Sequence, residues 1–325
     1  MNSNPLVSVV IPTYNRAGVV CETIDNVFQQ TYRNFEIIVV DDGSTDDTLS
    51  KLSAYGDRLQ VVTQRNAGAA AARNHGARVA RGEIIAFQDS DDLWMPAKLE
   101  RQVGLLETDR SIPCCLCNVV VRVVAGRQIT SFDWSLIYPL HEEGIWVNVS
   151  EVLATRFVLF NQAVAIRREV FERIGGFDEG LKYLEDYDLP LRLSLEGPWA
   201  FIRQPLVLYH EGTPESFSQQ ALRDPIVLKE CELRIFEQMR TRVKKGDKQG
   251  STQRQLERRL SMLRRQLAAT KLRKTNSVLA RALGGCLMSA DHYHMAAFRR
   301  SPWFPQPITI PARTPSSSPS ASEPT

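Results

Sequence analysis

The sequence predicts an α/β fold: a Rossmann-like, mostly parallel central sheet flanked by helices, followed by a C-terminal helical extension. Over the first 90 residues, apolar runs of strand length alternate with segments of helical periodicity. Strands that are apolar throughout are typical of parallel sheets covered by helices on both faces. Beyond Leu222 the chain becomes helical in pattern and basic.

The first part of the chain predicts strands and helices in alternation. The predicted strands are residues 6–11, 35–40, 59–62 and 83–87. The helices between them are predicted from apolar residues at helical spacing, namely Val20, Ile24, Val27 and Phe28, then Leu49, Leu52 and Tyr55, and from the alanine-rich run 69–80. The first strand is expected to end at Pro12.

The pattern is less regular from residue 111 to residue 218. Residues 168–174 predict a helix that ends at Gly175-Gly176. Residues 186–195 predict another helix, with Asp186 near its N-cap and Pro190 in its first turn.

Three cysteines, Cys114, Cys115 and Cys117, crowd into one apolar run. Zinc binding is one interpretation, but no second Cys or His pair lies at the spacing of a zinc finger. Buried thiols in a strand are therefore the favoured interpretation.

Composition and charge argue against several classes of protein. The net charge of +3 is too small to indicate a nucleic-acid partner. No apolar stretch approaches the ~18 residues that would predict a membrane span. Residues 1–5 lack the basic-then-apolar pattern of a signal peptide, so we expect a cytoplasmic protein.

Polar clusters directly follow three of the predicted strands, at residues 13–15, 41–42 and 89–92. In a parallel sheet these strand ends share one edge, where ligands bind, so we expect the clusters to face one crevice. Two unit charges ~4 Å apart repel by ~4 kcal/mol at an effective dielectric constant of ~20, and a divalent cation removes that cost. Oxygen ligands favour Mg²⁺ or Mn²⁺ over zinc, and such ions share their coordination with phosphates.

Two other phosphate-binding devices are absent from the sequence. Residues 12–18, after the first strand, match neither the G-x-G-x-x-G fingerprint nor a Walker loop. This argues against a dehydrogenase and against a P-loop nucleotide hydrolase.

Six segments, in this order, resemble the family 2 glycosyltransferases of the GT-A fold over about residues 5–220. They are residues 9–16, 39–46, 66–68 with 72–74, 87–94, 175–179 and 184–186. The resemblance implies an inverting, metal-dependent enzyme that moves a sugar from a nucleoside-diphosphate sugar, a UDP-sugar first, to a saccharide or lipid-linked acceptor. Cell-envelope polysaccharide or glycolipid synthesis is the implied setting. The Q-x-x-R-W segment of processive members is absent, which implies addition of a single sugar.

The resemblance also implies roles for individual residues. The implied donor-binding residues are Pro12, Thr13, Tyr14, Asn15, Asp41, Asp42, Asn66, Gly68, Arg73, Asp89 and Ser90. Tyr14 would pack on the base, Asp42 would accept a hydrogen bond from it, and Asp41 would support that loop. Arg73 would reach the donor or brace the acids of the pocket.

The metal and the chemistry are assigned by the same resemblance. Asp91, Asp92 and His210 would bind Mn²⁺ or Mg²⁺, with Asp91 or Asp92 closest to the ion. Asp186 would be the general base, with Glu185 beside it. If Asp186 caps a helix, the helix dipole would help to keep its carboxylate ionised.

These assignments divide the chain into four predicted parts. Residues 1–110 would bind the nucleotide-sugar, and residues 111–220 would bind the acceptor and carry the base. Residues 221–300 would form a basic helical extension. Residues 301–325, rich in Pro and Ser, are expected to be disordered.

The basic extension has two interpretations. Residues 240–274 contain 13 Lys or Arg against 2 Asp or Glu, and Leu256, Leu260, Leu263 and Leu267 recur at helical spacing. We favour a helix docked on the catalytic domain or in an oligomer. The alternative is a membrane-surface helix at the inner face of the membrane that brings the enzyme to a lipid-linked acceptor.

Two other functions remain open from the sequence. A sugar nucleotidyltransferase would be expected to carry a Gly-rich loop with Arg and Lys after the first strand, and residues 12–18 do not match one. A non-catalytic nucleotide-sugar binding module is disfavoured by the intact acids Asp91 and Asp186.

Overall fold

A computed structural model of the chain describes residues 4–210, 221–243, 250–274, 308–310 and 312–313. Predictions made for residues 244–249, 275–307 and 314–325 lie outside the described residues. Within the described part, no helix is both long and apolar enough to span a bilayer.

The N-terminal half of the fold is a parallel sheet with helical connections. Its strands are β1 (Val7–Thr13), β2 (Phe35–Asp41), β3 (Gln60–Thr63) and β4 (Ile84–Phe87), in the spatial order β3-β2-β1-β4. The connecting helices are α1 (Val20–Phe28), α2 (Thr48–Ser53) and α3 (Ala69–Val79). These elements confirm the alternation predicted from the apolar runs.

Two details of this half differ from the prediction. Strand β1 continues through Pro12. Strand β4 pairs with β1 only as far as Val10, so the proline nitrogen, which cannot donate a hydrogen bond, faces a position beyond the end of β4. In α2, Leu52 is buried, but Leu49 is 40% exposed. The predicted apolar face of this short helix is therefore buried only in part.

The second half extends the same sheet in a mixed arrangement. The added strands are β5 (Leu93–Trp94), β6 (Cys114–Val124), β7 (Arg127–Thr130), β9 (Glu143–Trp146), β10 (Val164–Arg167) and β11 (Trp199–Leu208), while β8 (Ile137–Pro139) belongs to a separate two-stranded sheet. The sheet order continues β4-β10-β6-β11-β9, with β10 antiparallel to both neighbours. The parallel prediction therefore holds for β1 to β4. Cys114, Cys115 and Cys117 are buried in β6, as the buried-thiol interpretation predicts.

Helices of the second half connect these strands. They are α4 (Lys98–Leu106), α5 (Ser131–Ser135), α6 (Val149–Leu153), α7 (Arg168–Arg173) and α8 (Glu185–Leu193). Helix α7 ends at Gly175 and Gly176, whose φ angles are +87° and +64°. Only glycine adopts that backbone without strain, and a Cβ at Gly176 would lie 2.5 Å from Asn74.

The start of α8 differs from the prediction. Leu184, in a left-handed conformation with φ of 69°, is the N-cap, and Asp186 is the second helical residue. Pro190 lies inside the helix rather than in its first turn. Because Asp186 is not the N-cap residue, its side chain does not cap the helix.

The extension consists of α9 (Pro225–Arg242) and α10 (Ser251–Arg273), which pack against each other. Leu256, Leu260 and Leu263 are fully buried, and α10 also contacts α6. Ion pairs such as Arg259 with Glu232 join the two helices. Helix α10 is thus docked on α9 and α6 through three of its leucines, while Leu267 is only partly buried.

Part of the predicted disordered tail is ordered. Strand β12 (Ile308–Ile310) pairs with β8, and β13 (Ala312–Arg313) pairs with β9 at the edge of the main sheet. The prediction of disorder is wrong for these residues, because a short apolar and β-branched run can add to an open sheet edge despite Pro-rich flanks.

Candidate active site

The loops that follow β1 and β2 are joined by polar contacts. Asn15 has a φ of 52°, its N–H donates to Ser44 Oγ (2.9 Å), and its Oδ1 accepts from the Thr45 N–H (2.8 Å). The Asp42 N–H donates to the Thr13 carbonyl (2.9 Å). The predicted convergence of these two strand ends is therefore present.

Asp42 holds together the loop that leads into α3. Its Oδ1 accepts from Gln64 Nε2 and the Ala67 N–H, and its Oδ2 accepts from the Gly68 N–H, each at 2.8 Å. Gly68, with a φ of 90°, is the N-cap residue of α3. The carboxylate of Asp42 thus braces the loop with both oxygens.

Asp41, by contrast, keeps one oxygen free. Its Oδ2 accepts from the Ser44 N–H (3.1 Å), while its buried Oδ1 has no hydrogen-bond partner among the described residues. The Oγ1 of Thr13, its partner across the β1–β2 ladder, is also buried and unpaired within that part of the chain. Buried polar atoms are usually hydrogen-bonded to protein, water or a ligand, so these two atoms are candidates for contact with a ligand. The geometry favours the reverse of the roles predicted for Asp41 and Asp42.

Arg73 connects the end of β4 to the start of α8. From its buried position in α3, Nη2 donates to Asp89 Oδ1 (2.6 Å) and Nη1 donates to Glu185 Oε1 (3.1 Å). Burial alone would lower the pKa of Arg73, but the two carboxylates outweigh it and raise that pKa. Arg73 therefore stays charged and braces the acids, which was one of its two predicted roles.

The acids after β4 divide between the crevice and the interior. Asp92 is almost fully buried, and its Oδ1 accepts from the His210 N–H (2.9 Å), which ties the end of β11 to this loop. Burial, and then Asp89, raise the pKa of Asp92 well above its usual range. The side chain of Asp91 is 38% exposed and lies 3.8 Å from the Arg16 guanidinium. Asp91 is thus the better placed of the two for a cation.

Local charges also act on Asp91. Burial and the neighbouring Asp89 raise the pKa of Asp91, while Arg16 and the His210 side chain lower it. His210 is therefore close enough to act on this carboxylate. Ser90, between the two acids, is buried.

Glu185 and Asp186 also divide their tasks. Glu185 is buried and ion-paired with Arg73 (3.1 Å). Burial, and then the charge of Glu185, raise the pKa of Asp186 to about 7, against the opposing effect of Arg73. The helix-dipole expectation applied only if Asp186 caps the helix, which it does not, and desolvation and neighbouring carboxylates raise the pKa of Asp186. A carboxyl group that titrates near neutrality is suited to general-base catalysis.

Sequence comparison places this site in a known family. Residues 8–174, half of the chain, match the family described as Glycosyl transferase family 2. The chain belongs to this family.

Curated relatives of this family 2 member are similar over part of their length. An uncharacterised glycosyltransferase of Rickettsia typhi is 34% identical over 190 residues, which are 57% of this chain and 58% of the relative. The chain thus spans little more than half of that protein. The UDP-Glc:α-D-GlcNAc-diphosphoundecaprenol β-1,3-glucosyltransferase WfaP of Escherichia coli is 40% identical over 107 residues, 32% of this chain and 43% of WfaP.

Solved structures share the GT-A fold. TarS residues 1–349 from S. aureus align with a TM-score of 0.63 at 20% identity, covering 85% of this chain and 76% of that one. The mannosyltransferase PcManGT of Pyrobaculum calidifontis, solved with GDP-Man and Mn²⁺, aligns with a TM-score of 0.56 at 21% identity, covering 94% and 84%.

The remaining predicted donor-binding residues differ in exposure. Tyr14 is 45% exposed and open to a ligand, Asn66 is exposed, and Pro12 is buried in β1. Within the described residues, no three His, Cys, Asp or Glu side chains are gathered to hold a metal ion by themselves. The predicted set of Asp91, Asp92 and His210 is therefore not a closed metal cage.

Two residues of the site were missed from the sequence. The amide of Gln162 lies against the Asp92 carboxylate and favours its charged form. The neighbouring Asn161 is buried, with its Oδ1 unpaired among the described residues. Neither belongs to a recognised motif. The only usable signal was the apolar run at 163–166, which forms β10 beside β4.

Proposed function

We propose that the protein transfers one sugar from a nucleoside-diphosphate sugar to an acceptor hydroxyl. The observation that carries this proposal is that Arg73 joins the acidic loop after β4 to the start of α8, which carries Asp186. Asp41 offers an unpaired oxygen, Asp91 is open to a cation, and burial raises the pKa of Asp186 to about 7. Arg73 spans from the Asp91 loop to the helix of Asp186 and keeps the two together.

The nucleoside would lie beside β1 and β2. Asp41 Oδ1 and Thr13 Oγ1 are unpaired among the described residues, and a pyrimidine ring N–H supplies the donor that the carboxylate lacks. The exposed ring of Tyr14 would pack on the base. A UDP-sugar is the first expectation, which the UDP-Glc in the name of WfaP supports. The GDP-Man in PcManGT keeps a guanine donor as the alternative.

The diphosphate would lie beside Asp91. The accessible carboxylate of Asp91, with Asp89 close by, fits Mg²⁺ or Mn²⁺, because these ions are held by one or two carboxylates and take their other ligands from phosphate and water. When bound, such an ion neutralises charge on the departing diphosphate. The Mn²⁺ in PcManGT supports this assignment. The imidazole of His210 would contact the same diphosphate.

The acceptor would meet Asp186. Its carboxylate takes the proton from the acceptor hydroxyl as the oxygen attacks C1 of the sugar from the face opposite the diphosphate. The configuration at C1 is then inverted without a covalent intermediate. Glu185, held by Arg73, fixes the start of α8 and so the position of the base.

One relative supports the proposed acceptor class. WfaP is named for a diphosphoundecaprenol acceptor, which supports a lipid-linked saccharide here and a role in cell-envelope glycan synthesis. We keep the prediction that the protein acts in the cytoplasm, where sugar nucleotides are made.

The test is a panel of UDP-, dTDP- and GDP-sugars with Mn²⁺, assayed for release of nucleoside diphosphate with and without saccharide acceptors. The proposal expects release from one donor class by the wild type and its loss in Asp186→Asn, which should still bind the nucleotide. Synthesis of pyrophosphate from a nucleoside triphosphate and a sugar phosphate would overturn it in favour of a nucleotidyltransferase.

A further inference from the structure

Residues 156–163, which we call the bridging segment, contact both α8, which carries Asp186, and the loop after β4, which carries Asp91 and Asp92 and which we call the acid loop. At one end, the Phe157 ring packs edge to face on Tyr187, with ring centroids 5.5 Å apart. Tyr187 directly follows Asp186 in α8. At the other end, the Gln162 amide lies against Asp92. The segment therefore touches both the base helix and the loop of the proposed cation.

Sheet register places the end of this segment beside the acids. Strand β10 runs antiparallel to β4, with Ala165 opposite Ala86 and Ile166 opposite Ile85. The residues that precede β10 form a 3₁₀ turn, Asn161–Ala163, which packs against β4. Asn161 is the first residue of this turn, and its neighbour Gln162 lies against Asp92 in the loop that follows β4.

Asn161 carries an unpaired acceptor at this place. The residue is 4% exposed, and its Oδ1 has no hydrogen-bond partner among the residues that the structure describes. Burying an amide oxygen without a donor is unfavourable, and native proteins usually supply one from protein, water or ligand. We look for that donor in the crevice, because the adjacent residue Gln162 lies against Asp92.

The transferred sugar is the group that must occupy the gap. Its C1 lies between the diphosphate, beside Asp91, and the acceptor oxygen, beside Asp186. The bridging segment crosses the same gap, and a hexose presents several hydroxyl donors to it. We propose that Asn161 Oδ1 accepts a hydrogen bond from a hydroxyl of the transferred sugar and thereby determines which sugar is used. This inference rests on the proposed transferase function and assigns its donor-sugar subsite.

The test compares donors that differ at one hydroxyl. With the preferred donor, Asn161→Ala should lower kcat/KM by roughly 10- to 100-fold, the cost of one buried hydrogen bond in a specificity pocket. With the deoxy analogue that lacks the contacted hydroxyl, wild type and variant should have equal kcat/KM, because neither makes the bond. The Kd of the free nucleoside diphosphate should change by less than about twofold.

Two further variants distinguish the loss of the proposed hydrogen bond from a folding defect. Asn161→Asp keeps an acceptor oxygen of the same shape and should retain the donor preference that Asn161→Ala loses. Gln60→Ala removes an exposed amide on the edge strand β3 and should leave every rate unchanged. Thermal unfolding of each variant shows whether the fold is retained.

Three outcomes would overturn the inference. One is equal loss with every donor and deoxy analogue, and another is loss of free-nucleotide affinity. Unchanged hydrolysis of the donor in the absence of acceptor, with slower transfer, would instead place Asn161 on the acceptor. The proposed function itself fails differently, by absence of nucleotide release from any sugar nucleotide in the wild type.

Discussion

The loops after β2 and β4 each carry two adjacent acids, and each loop uses its acids in the same way. After β2, both oxygens of Asp42 accept hydrogen bonds, from two backbone N–H groups and one side-chain amide, while Asp41 Oδ1 is unpaired among the described residues. After β4, Asp92 is buried and binds the His210 N–H, while Asp91 stays accessible. In both loops the second acid accepts backbone hydrogen bonds, although Asp92 Oδ2, like Asp41 Oδ1, is unpaired among the described residues.

The two bracing carboxylates, Asp42 and Asp92, differ in which parts of the chain they connect. Asp42 organises a local loop, from Gln64 to the N-terminus of α3. Asp92 reaches a residue 118 positions away, at the end of β11. Loss of the first brace should therefore disturb the nucleoside pocket, while loss of the second should loosen the contact between the two halves of the sheet.

We expect the largest effect at the start of α8, where the order of the two roles is reversed. There the first acid, Glu185, is held by Arg73, and the second acid, Asp186, is the proposed base. Asp186→Asn should lower kcat by about 10²- to 10⁴-fold, the usual contribution of a general base. Steady-state transfer assays and nucleotide titration would measure this, with the nucleotide Kd unchanged. The matched variant Glu185→Gln keeps the base and should lose less activity. Equal losses in both variants would contradict the division of roles.

The acid loop provides the next comparison. Asp91→Asn should weaken Mn²⁺ binding in the presence of nucleoside diphosphate by at least the roughly 10- to 100-fold that loss of a residue supporting a metal ligand costs. Calorimetric titration of Mn²⁺ would measure it. Asp92→Asn, which alters a buried contact with His210, should change thermal stability more than metal affinity. A larger metal effect at Asp92 would show that the buried acid is the ligand.

The pH profile tests Asp186 without a substitution. Because the carboxylate is the base and its pKa is raised to about 7, kcat/KM should fall as pH drops below about 7. The slope should approach about tenfold per pH unit. The profile of Asp186→Asn should lack this acidic limb. A wild-type profile that is flat down to pH 5 would contradict the raised pKa.

The smallest expected effects separate Asp42 from Asp41. Asp42→Asn places an amide among backbone donors and should reduce the free energy of unfolding by about 1.5–3 kcal/mol, the contribution of a charged hydrogen bond. Denaturant unfolding would measure it. Asp41→Asn should cost less stability but more nucleotide affinity, because it alters the unpaired oxygen. Similar stability losses with no change in nucleotide Kd would remove Asp41 from the pocket.

Sequence patterns predicted the donor half of the fold well, because apolar runs of strand length bounded by polar clusters are a local signal. The edge where Asp41, Asp89 and Asp91 converge followed from the parallel topology alone. The helical character of residues 251–273 also followed from sequence, because Leu256 and Leu260 recur at helical spacing and both are buried.

The division of labour within each acid pair was not predictable. Asp42 and Asp41 are equivalent in sequence, and only the fold shows that backbone donors near residue 67 surround the second. The raised pKa of Asp186 likewise depends on burial and on Glu185 being held beside it. Asn161 was missed because its neighbours in space are about 70 residues away in sequence.

The most direct test of the account is a crystal structure with Mn²⁺ and the nucleoside diphosphate that binds most tightly. The account predicts the ring N–H of the base on Asp41 Oδ1, the ion on Asp91, and Asp42 still bound to Gly68. A nucleotide bound elsewhere, such as in the cavity between α3 and α9 lined by Ala77 and Gln238, would contradict it.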